Sequence, residues 1–303
     1  MMKEEHIDQL LDALLAPAEN KPHLMQVDIA TLHPFAGHPY QVRDDAEMDA
    51  LVESIQAQGI LTPLVVRPMD GKEKEYEVIS GHRRLHACKK AGIEKVPALI
   101  YSLDRDAAAI ALVDSNFHRE KILPSEKAFA YKLKMEALGK QGKRTDLTSR
   151  QVGEKLSVTR LSESSNESER QIHRYIRLTN LIPGILEKVD EGKIALTPAV
   201  ELSYLTESEQ ASLLETMESE DCTPSLTQAI QLKQASLQKT LNMDMIFAIL
   251  RQPKANQQEK IVLKVNDIRR YFPQNYTTIQ MTNDIMKGLE LLRKQRARSK
   301  DAR

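Results

Sequence analysis

Residues 76–92 constrain the chain more tightly than any other stretch. Tyr76-Glu77-Val78-Ile79 carries the β-branched and aromatic residues of a strand. Ser80-Gly81-His82-Arg83-Arg84 leads from it into Leu85-His86-Ala87-Cys88-Lys89-Lys90-Ala91, whose apolar positions recur at helical spacing and stop at Gly92. Strand, glycine and helix therefore follow one another without a linker. A glycine at such a turn lets backbone N–H groups approach a phosphate, and two adjacent arginines add fixed charge and forked donors. Solvated surface charge is the competing reading of the same arginines. A second stretch, Ser115-Asn116-Phe117-His118-Arg119-Glu120, presents an amide and an arginine after the apolar run Ala107 to Val113.

The surroundings of these two stretches alternate between strand and helix. Val27 to Leu32 opens the region, and Pro39-Tyr40-Gln41-Val42-Arg43 is extended. Asp44, with Glu47 three residues on, has the form of a capping box. Met48, Leu51, Val52 and Ile55 then give an amphipathic helix ending at Gly59. Leu64 to Arg67 is a short strand and Asp70-Gly71 a turn. Val96 to Tyr101 is another strand, and Asp104 caps a helix over 105–113. This alternation predicts an α/β or α+β region of roughly 100 residues.

Beyond Pro124 the strand signals stop. Phe129, Leu133 and Leu138 predict a helix ending at Gly139, followed by a basic linker over 140–145 and a short helix over 150–156. A helix from Thr159 to Ser165, a turn at Asn166-Glu167-Ser168 and a second helix from Glu169 to Thr179 have the form of a helix-turn-helix. With Ile172 taken as inward, Tyr175 and Ile176 share its side, and Arg170, Arg174 and Arg177 lie opposite. A polar face of that kind, with Gln171 and His173 beside it, suits a helix that reads DNA, some groups meeting base edges and others phosphates. An arginine-rich solvent face is the alternative. Helices follow over 198–205, 207–217 and 237–250, then a strand at Ile261 to Val265. A long terminal helix from Thr278 to Arg298 carries a stripe of Ile285, Leu289 and Leu292 that is either local core or a self-association seam.

Formal net charge is zero, but the charge is segregated. Lys121 to Arg177 holds 13 Lys/Arg against 7 Asp/Glu, Ile182 to Leu226 holds 2 against 10, and Lys287 to Arg303 holds 7 against 2. A basic footprint thus sits on the helix-turn-helix region while the acidic segment suits packing. Cys88 and Cys222 are the only cysteines, so neither a disulfide framework nor a thiolate zinc site is indicated. No apolar run approaches the ~20 residues that span a bilayer. The N-terminal stretch, with one short amphipathic piece from Ile7 to Leu15, lacks the pattern of a secretory signal. A cytoplasmic location is expected, with no membrane partner.

Taken in order, these motifs resemble the ParB/RepB family of DNA-partition proteins. The resemblance runs through Pro39–Arg43, Gly59–Arg67, Gly81-His82-Arg83-Arg84 at the family's G-E-R-R box and Ser115–Glu120 at its E-N-x-Q-R-E box. It continues through Pro124–Ala128 and Arg174–Leu178, covering roughly residues 27–205. It implies an α+β fold: a ParB/sulfiredoxin-like α/β domain over 26–122 behind a flexible tail of residues 1–25. An all-helical domain over 123–226 would carry the helix-turn-helix at about 159–179. A small α/β or helical self-association domain over 237–303 would end in a basic tail.

The resemblance further implies CTP with Mg²⁺ as ligands, and Arg43, Gly81, His82, Arg83, Arg84, Asn116 and Arg119 as their binding residues. Asn116 would help place the metal. Arg170, Gln171, His173, Arg174 and Arg177 would bind double-stranded DNA carrying an inverted repeat. A homodimer is implied, closing as a CTP-dependent clamp on a plasmid, element or chromosome, as is a ParA-type ATPase partner. Nucleoid or plasmid association follows. His82 and Ser115 stand where the family has glutamates, so weak CTP hydrolysis stays an open question. A helix-turn-helix transcriptional or copy-number regulator without a nucleotide switch is the alternative. A sulfiredoxin-like thiol enzyme would need a cysteine in the Ser80–Arg84 box, and a nuclease would need clustered carboxylates.

Overall fold

A five-stranded sheet organises the first part of the molecule. The computed structural model describes residues 22–117, 122–144, 150–165, 167–252, 265–273 and 275–301. Strands β1 (His23–Asp28), β2 (Leu32–Pro34), β3 (Leu64–Pro68), β4 (Tyr76–Ser80) and β5 (Lys95–Ile100) lie in the order β1-β5-β3-β4-β2. β1 is antiparallel to β5 and β3 to β4, whereas β3/β5 and β2/β4 are parallel. The register of β3 on β4 shifts between Val65 and Val66.

Strand β3 is buried on both faces, and its alternating side chains divide between two cores. Leu64 and Val66 join Met48, Ile55, Val78, Leu85 and Cys88 beneath helices α1 (Ala46–Gln58) and α2 (His82–Ala91). Val65 and Ile79 join Ala108, Leu112 and Val113 of α3 (Arg105–Asn116) on the other face. That second core also takes Ala130 and Ala137 from α4 (Pro124–Arg144). The α+β expectation is met.

The helices of the same compact unit, which ends at Gln252, continue with α5 (Arg150–Ser165), α6 (Glu169–Arg177) and a 3₁₀ turn at Leu178–Asn180. α7 (Pro183–Asp190), α8 (Leu196–Leu202), α9 (Glu207–Ser219), α10 (Leu226–Leu237) and α11 (Met243–Leu250) follow. Ile185, Leu202, Leu213, Leu232 and Ile246 share one core there. The segment predicted to be acidic is thus mainly a packing unit. In the second compact unit, α12 (Val265–Ile268) and a 3₁₀ turn precede α13 (Thr278–Asp301). Met281 is buried in it, while Leu289 and Leu292 stand exposed.

Several boundaries differ from the sequence reading, each for a local reason. The cap of α1 is Asp45, whose carboxylate accepts from Met48 N at 2.9 Å, because the helix starts at Ala46. Asp44 instead meets His86 and Lys90, each at 3.0 Å. The predicted linker over 140–145 is helical as far as Arg144: Gly139 costs α4 only about 1 kcal/mol, and the good helix formers around it carry the helix through. The two short helices over 150–165 are a single α5. Ser157-Val158-Thr159 has weak helix propensity, but burial of Ser157, Val158 and Leu161 overrides it. The helix expected over 237–250 begins only at Met243: α10 ends at Leu237, Lys239 takes a positive φ, and Asn242 caps the new start through Met245 N at 2.8 Å. The strand expected at Ile261 to Val265 lies outside the described residues up to 264, and Val265 begins a helical turn. The N-terminal helix at Ile7 to Leu15 also lies outside them.

Candidate functional site

The turn at Gly81 builds one wall of a cleft. Gly81 has φ +100°, a conformation side-chain-bearing residues avoid, and a Cβ there would lie 2.4 Å from Leu64 Cδ2. The sequence can take β4 straight into α2 only with glycine at this point. Arg84 turns back beneath the turn and donates through one nitrogen to Thr62 O and, at 2.9 Å, to Pro63 O. It therefore fixes the loop that precedes β3. Arg83 reaches Asp45 at 3.2 Å and Glu47 at 3.4 Å in the first turn of α1. The Met48 N–H, with Arg83 as a smaller contribution, holds the Asp45 carboxyl below its ordinary range.

The cleft encloses about 240 Å³ and is lined by His38, Tyr40, Thr62, Gly81–Arg84, Ser115 and Asn116, among others. Residues more than 30 positions apart in sequence, the Gly81 turn and the C-terminal end of α3, thus face one space. Asn116 donates to Leu112 O at 2.8 Å and to Ser115 Oγ at 3.3 Å, which orients its amide. The rings of His38 and His82 are 3.7 Å apart, and Tyr40 meets His38 edge-on at 5.6 Å. Sequence reasoning missed His38, Tyr40 and Thr62. The Pro39 and Pro63 signals beside them mark the two extended segments that bring them in.

Of the residues expected to hold nucleotide, Gly81, His82, Arg83, Arg84 and Asn116 line this cleft. Arg43 does not: it lies in a neighbouring groove with Pro183, Glu187 and Asp190, and touches Gln41 Oε1 at 3.5 Å. Arg119 is outside the described residues. No carboxylate lines the cleft, and no cluster of three His, Cys, Asp or Glu suited to a metal occurs among the described residues. What the cleft offers a cation is neutral oxygen, from Ser80, Ser115 and Asn116. That fits an ion delivered on phosphates with its water shell, since Mg²⁺ needs few protein ligands there. Cys88 is fully buried, and burial pushes its thiol up, opposite to what a nucleophile needs.

The extended segment 39–43 is tied to the helices. Glu126, buried in the first turn of α4, accepts from Gln41 N at 2.9 Å and Leu123 N at 3.1 Å. Asp190 accepts from Ser125 N at 2.9 Å and Ser125 Oγ at 2.5 Å.

In the helix-turn-helix, Ser168 caps α6, and Ile172 is buried with Leu161 and Tyr131, flanked by Phe117, Tyr175 and Ile176. Arg170 and His173 are exposed and Gln171 is half-buried. Arg174 meets Gln171 Oε1 at 3.1 Å and Thr197 Oγ1 at 2.5 Å. Arg177 is engaged more deeply. It donates to Ser203 Oγ at 3.2 Å and Ser203 O at 2.9 Å, and its guanidinium lies 3.8 Å over the Tyr204 ring. Lys233 lies over the same ring at 3.8 Å, so Arg177 locks α6 onto the helices beyond it.

A sheet with an arginine-walled cleft, continued through one long helix into a helix-turn-helix bundle, defines the class: an α+β protein joining a polar cleft to a helix-turn-helix. Residues 16–116 match the ParB N-terminal domain family. A probable chromosome-partitioning protein ParB of Vibrio cholerae is 29% identical over 299 residues, covering 96% of this chain and 91% of that protein. A nucleoid occlusion protein of Listeria innocua is 30% identical over 202 residues, covering 66% of this chain and 64% of that protein. A nucleoid occlusion protein of Bacillus cereus is 38% identical over 114 residues and is spanned over 38% of its length, so the match covers less than two thirds of these two relatives. Among solved structures, a C-terminally truncated ParB from Caulobacter crescentus complexed with CTP-gamma-S is similar over 65% of this chain and 99% of that one, with 21% identity and a TM-score of 0.30. The match to the ParB N-terminal domain thus covers the sheet and the cleft, from residue 16 to residue 116. Among the described residues, no helix is long and apolar enough to cross a membrane.

Proposed function

We propose that this chain is a sequence-specific DNA-binding partition protein that takes CTP in the Gly81 cleft and a palindromic site on α6. The two ligands together close a dimeric clamp on DNA, at the nucleoid or on a plasmid. The observation that carries this reading is the convergence of Gly81–Arg84 with Ser115–Asn116 on one cleft, within the residues that match the ParB N-terminal domain.

In this reading the backbone N–H groups after Gly81 meet the phosphates and Arg83 supplies the charge, exchanging Asp45 and Glu47 for the ligand. Arg84 holds the Thr62-Pro63 loop against the pocket. Asn116 would offer an amide oxygen to a Mg²⁺ carried by the triphosphate, an ion that would neutralise phosphate charge. On DNA, Arg174 is the candidate for a base edge, with Arg170, Gln171 and His173 beside it. Support for Arg177 is weaker, because its guanidinium is engaged at Ser203 and Tyr204. A ParA-type ATPase belongs to the same reading through the family alone.

The test is CTP binding with Mg²⁺, with and without a duplex selected by the protein from a randomised pool, using ATP, GTP and UTP as controls. CTP-selective binding that the duplex strengthens is expected. Arg83→Ala should abolish CTP-dependent accumulation on site-bearing DNA while sparing binding to the site itself. Binding of the duplex with no response to any nucleotide would leave a helix-turn-helix regulator on an inert scaffold.

A further inference from the structure

One buried ammonium joins the cleft to the helix-turn-helix. Helical rotation turns Ser115 and Asn116 toward the cleft and their neighbours Asp114 and Phe117 toward α4. On α4 they meet Lys134 and Tyr131, which are 3% and 1% exposed. Lys134 Nζ donates to Asp114 Oδ1 and, at 2.8 Å, to Ser164 Oγ in the last turn of α5. It also lies 5.2 Å from the centroid of the Phe117 ring. Ser164 donates its own O–H to Leu161 O at 3.1 Å, so its oxygen is turned to accept. Beside this bridge the rings of Phe117 and Tyr131 lie 5.6 Å apart, and those of Tyr131 and Tyr175 on α6 lie 5.8 Å apart.

We infer that Lys134, supported by Tyr131, is the positioning residue through which DNA on α6 and nucleotide in the cleft sense each other. The inference deepens the proposed function and rests on it. A buried ammonium cannot lose its partners without a large penalty. Lys134 therefore holds the end of α3 and the end of α5 in one fixed relation. A shift of the helix-turn-helix that moves Ser164 must either drag Asp114, and with it Ser115 and Asn116, or break the bridge. Close packing of Ala108, Leu112, Ala130 and Ala137 between α3 and α4 leaves no slack to absorb the movement. Coupling of this kind is reciprocal, so CTP must strengthen DNA binding by the factor by which DNA strengthens CTP binding.

The experiment measures CTP affinity of the full chain, with Mg²⁺, in the absence and at saturation of the selected duplex at fixed salt. In the wild type the duplex should raise CTP affinity by about 5-fold or more, the range expected of linked sites. In Ser164→Ala and Lys134→Met the enhancement should fall below about 2-fold, while CTP alone and DNA alone bind within about 2-fold of wild type. Leu213→Ala, in a core remote from the bridge, should lower the melting temperature without changing the enhancement. Should Lys134→Met not fold, Ser164→Ala still decides, since it deletes a single hydroxyl. Undiminished enhancement in a folded variant overturns the inference. CTP binding by the wild type that ignores DNA overturns it as well. Absence of any nucleotide binding by the wild type sinks the nucleotide reading itself, and the variants are not needed to see that.

Discussion

Substituting Gly81 with alanine tests how the cleft is built, separately from what it binds. The methyl group meets two penalties that can be sized. Holding an alanine at φ +100° costs about 1–2 kcal/mol, the usual figure for a side chain in the left-handed region. Its Cβ would sit 2.4 Å from Leu64 Cδ2, so Leu64 must move. Leu64 is fully buried in β3 and packed from the α1/α2 face, and overpacking of this kind costs about 1–3 kcal/mol. Together the loss is about 2–5 kcal/mol, a large share of the ~5–15 kcal/mol that stabilises a typical domain. Calorimetry should show the melting transition of Gly81→Ala lowered by at least about 5 °C. A double-mutant cycle isolates the clash: Leu64→Ala alone should cost about 2–5 kcal/mol, and at least about 1 kcal/mol less in the Gly81→Ala background. A melting temperature within about 1 °C of wild type, or strict additivity in the cycle, would refute the close approach of the turn to β3.

Further expectations follow from the same geometry. Arg174→Ala should weaken binding to the selected duplex by about 1–3 kcal/mol and flatten discrimination at one base pair. Arg177→Ala should act mainly on stability, lowering it by about 1.5–3 kcal/mol as the charged hydrogen bonds to Ser203 are lost; an unchanged melting temperature would count against its clamping role. Glu126→Gln replaces an acceptor of two backbone N–H groups by an amide that accepts only on one side. Hydrogen exchange at Gln41 and Leu123 should accelerate while exchange in β3 stays as it was. Asp45, whose folded-state carboxyl lies below its unfolded value, contributes stability that is present above the unfolded value and lost as pH falls through the folded one. Melting temperature followed from pH 6 downward, below about pH 4, should therefore fall more steeply in wild type than in Asp45→Asn.

Much of the cleft was legible because its determinants are local. A glycine between a β-branched strand and an amphipathic helix permits few conformations, and the Asp104 cap and Gly59 and Gly92 stops stand where the pattern puts them. The division of β3 between two cores was hidden, because Leu64-Val65-Val66 reads as one apolar run whichever face each residue takes. Arg84 and Arg177 show the harder limit. Sequence periodicity assigns an arginine to a face, but whether its guanidinium meets a ligand or a neighbouring carbonyl depends on segments far along the chain, here Thr62-Pro63 and Ser203. The fusion of two predicted helices into α5 has the same origin, since burial of Val158 and Leu161 against other helices outweighed weak local propensity.

The core that Ala130 and Ala137 of α4 share with Val65, Ile79 and Leu112 has a consequence for how such proteins can be recombined. A chimera cut between residues 122 and 123 would set one relative's alanines against another's α3, and a single larger side chain at either position would wedge the two helices apart. On the proposed function, exchanging DNA specificity between similar chains is better done by grafting α5 and α6 onto a resident α4 than by joining whole halves. Inheritance should follow the same seam, with substitutions in α3 accompanied by compensating changes in α4 rather than in the sheet's outer helices.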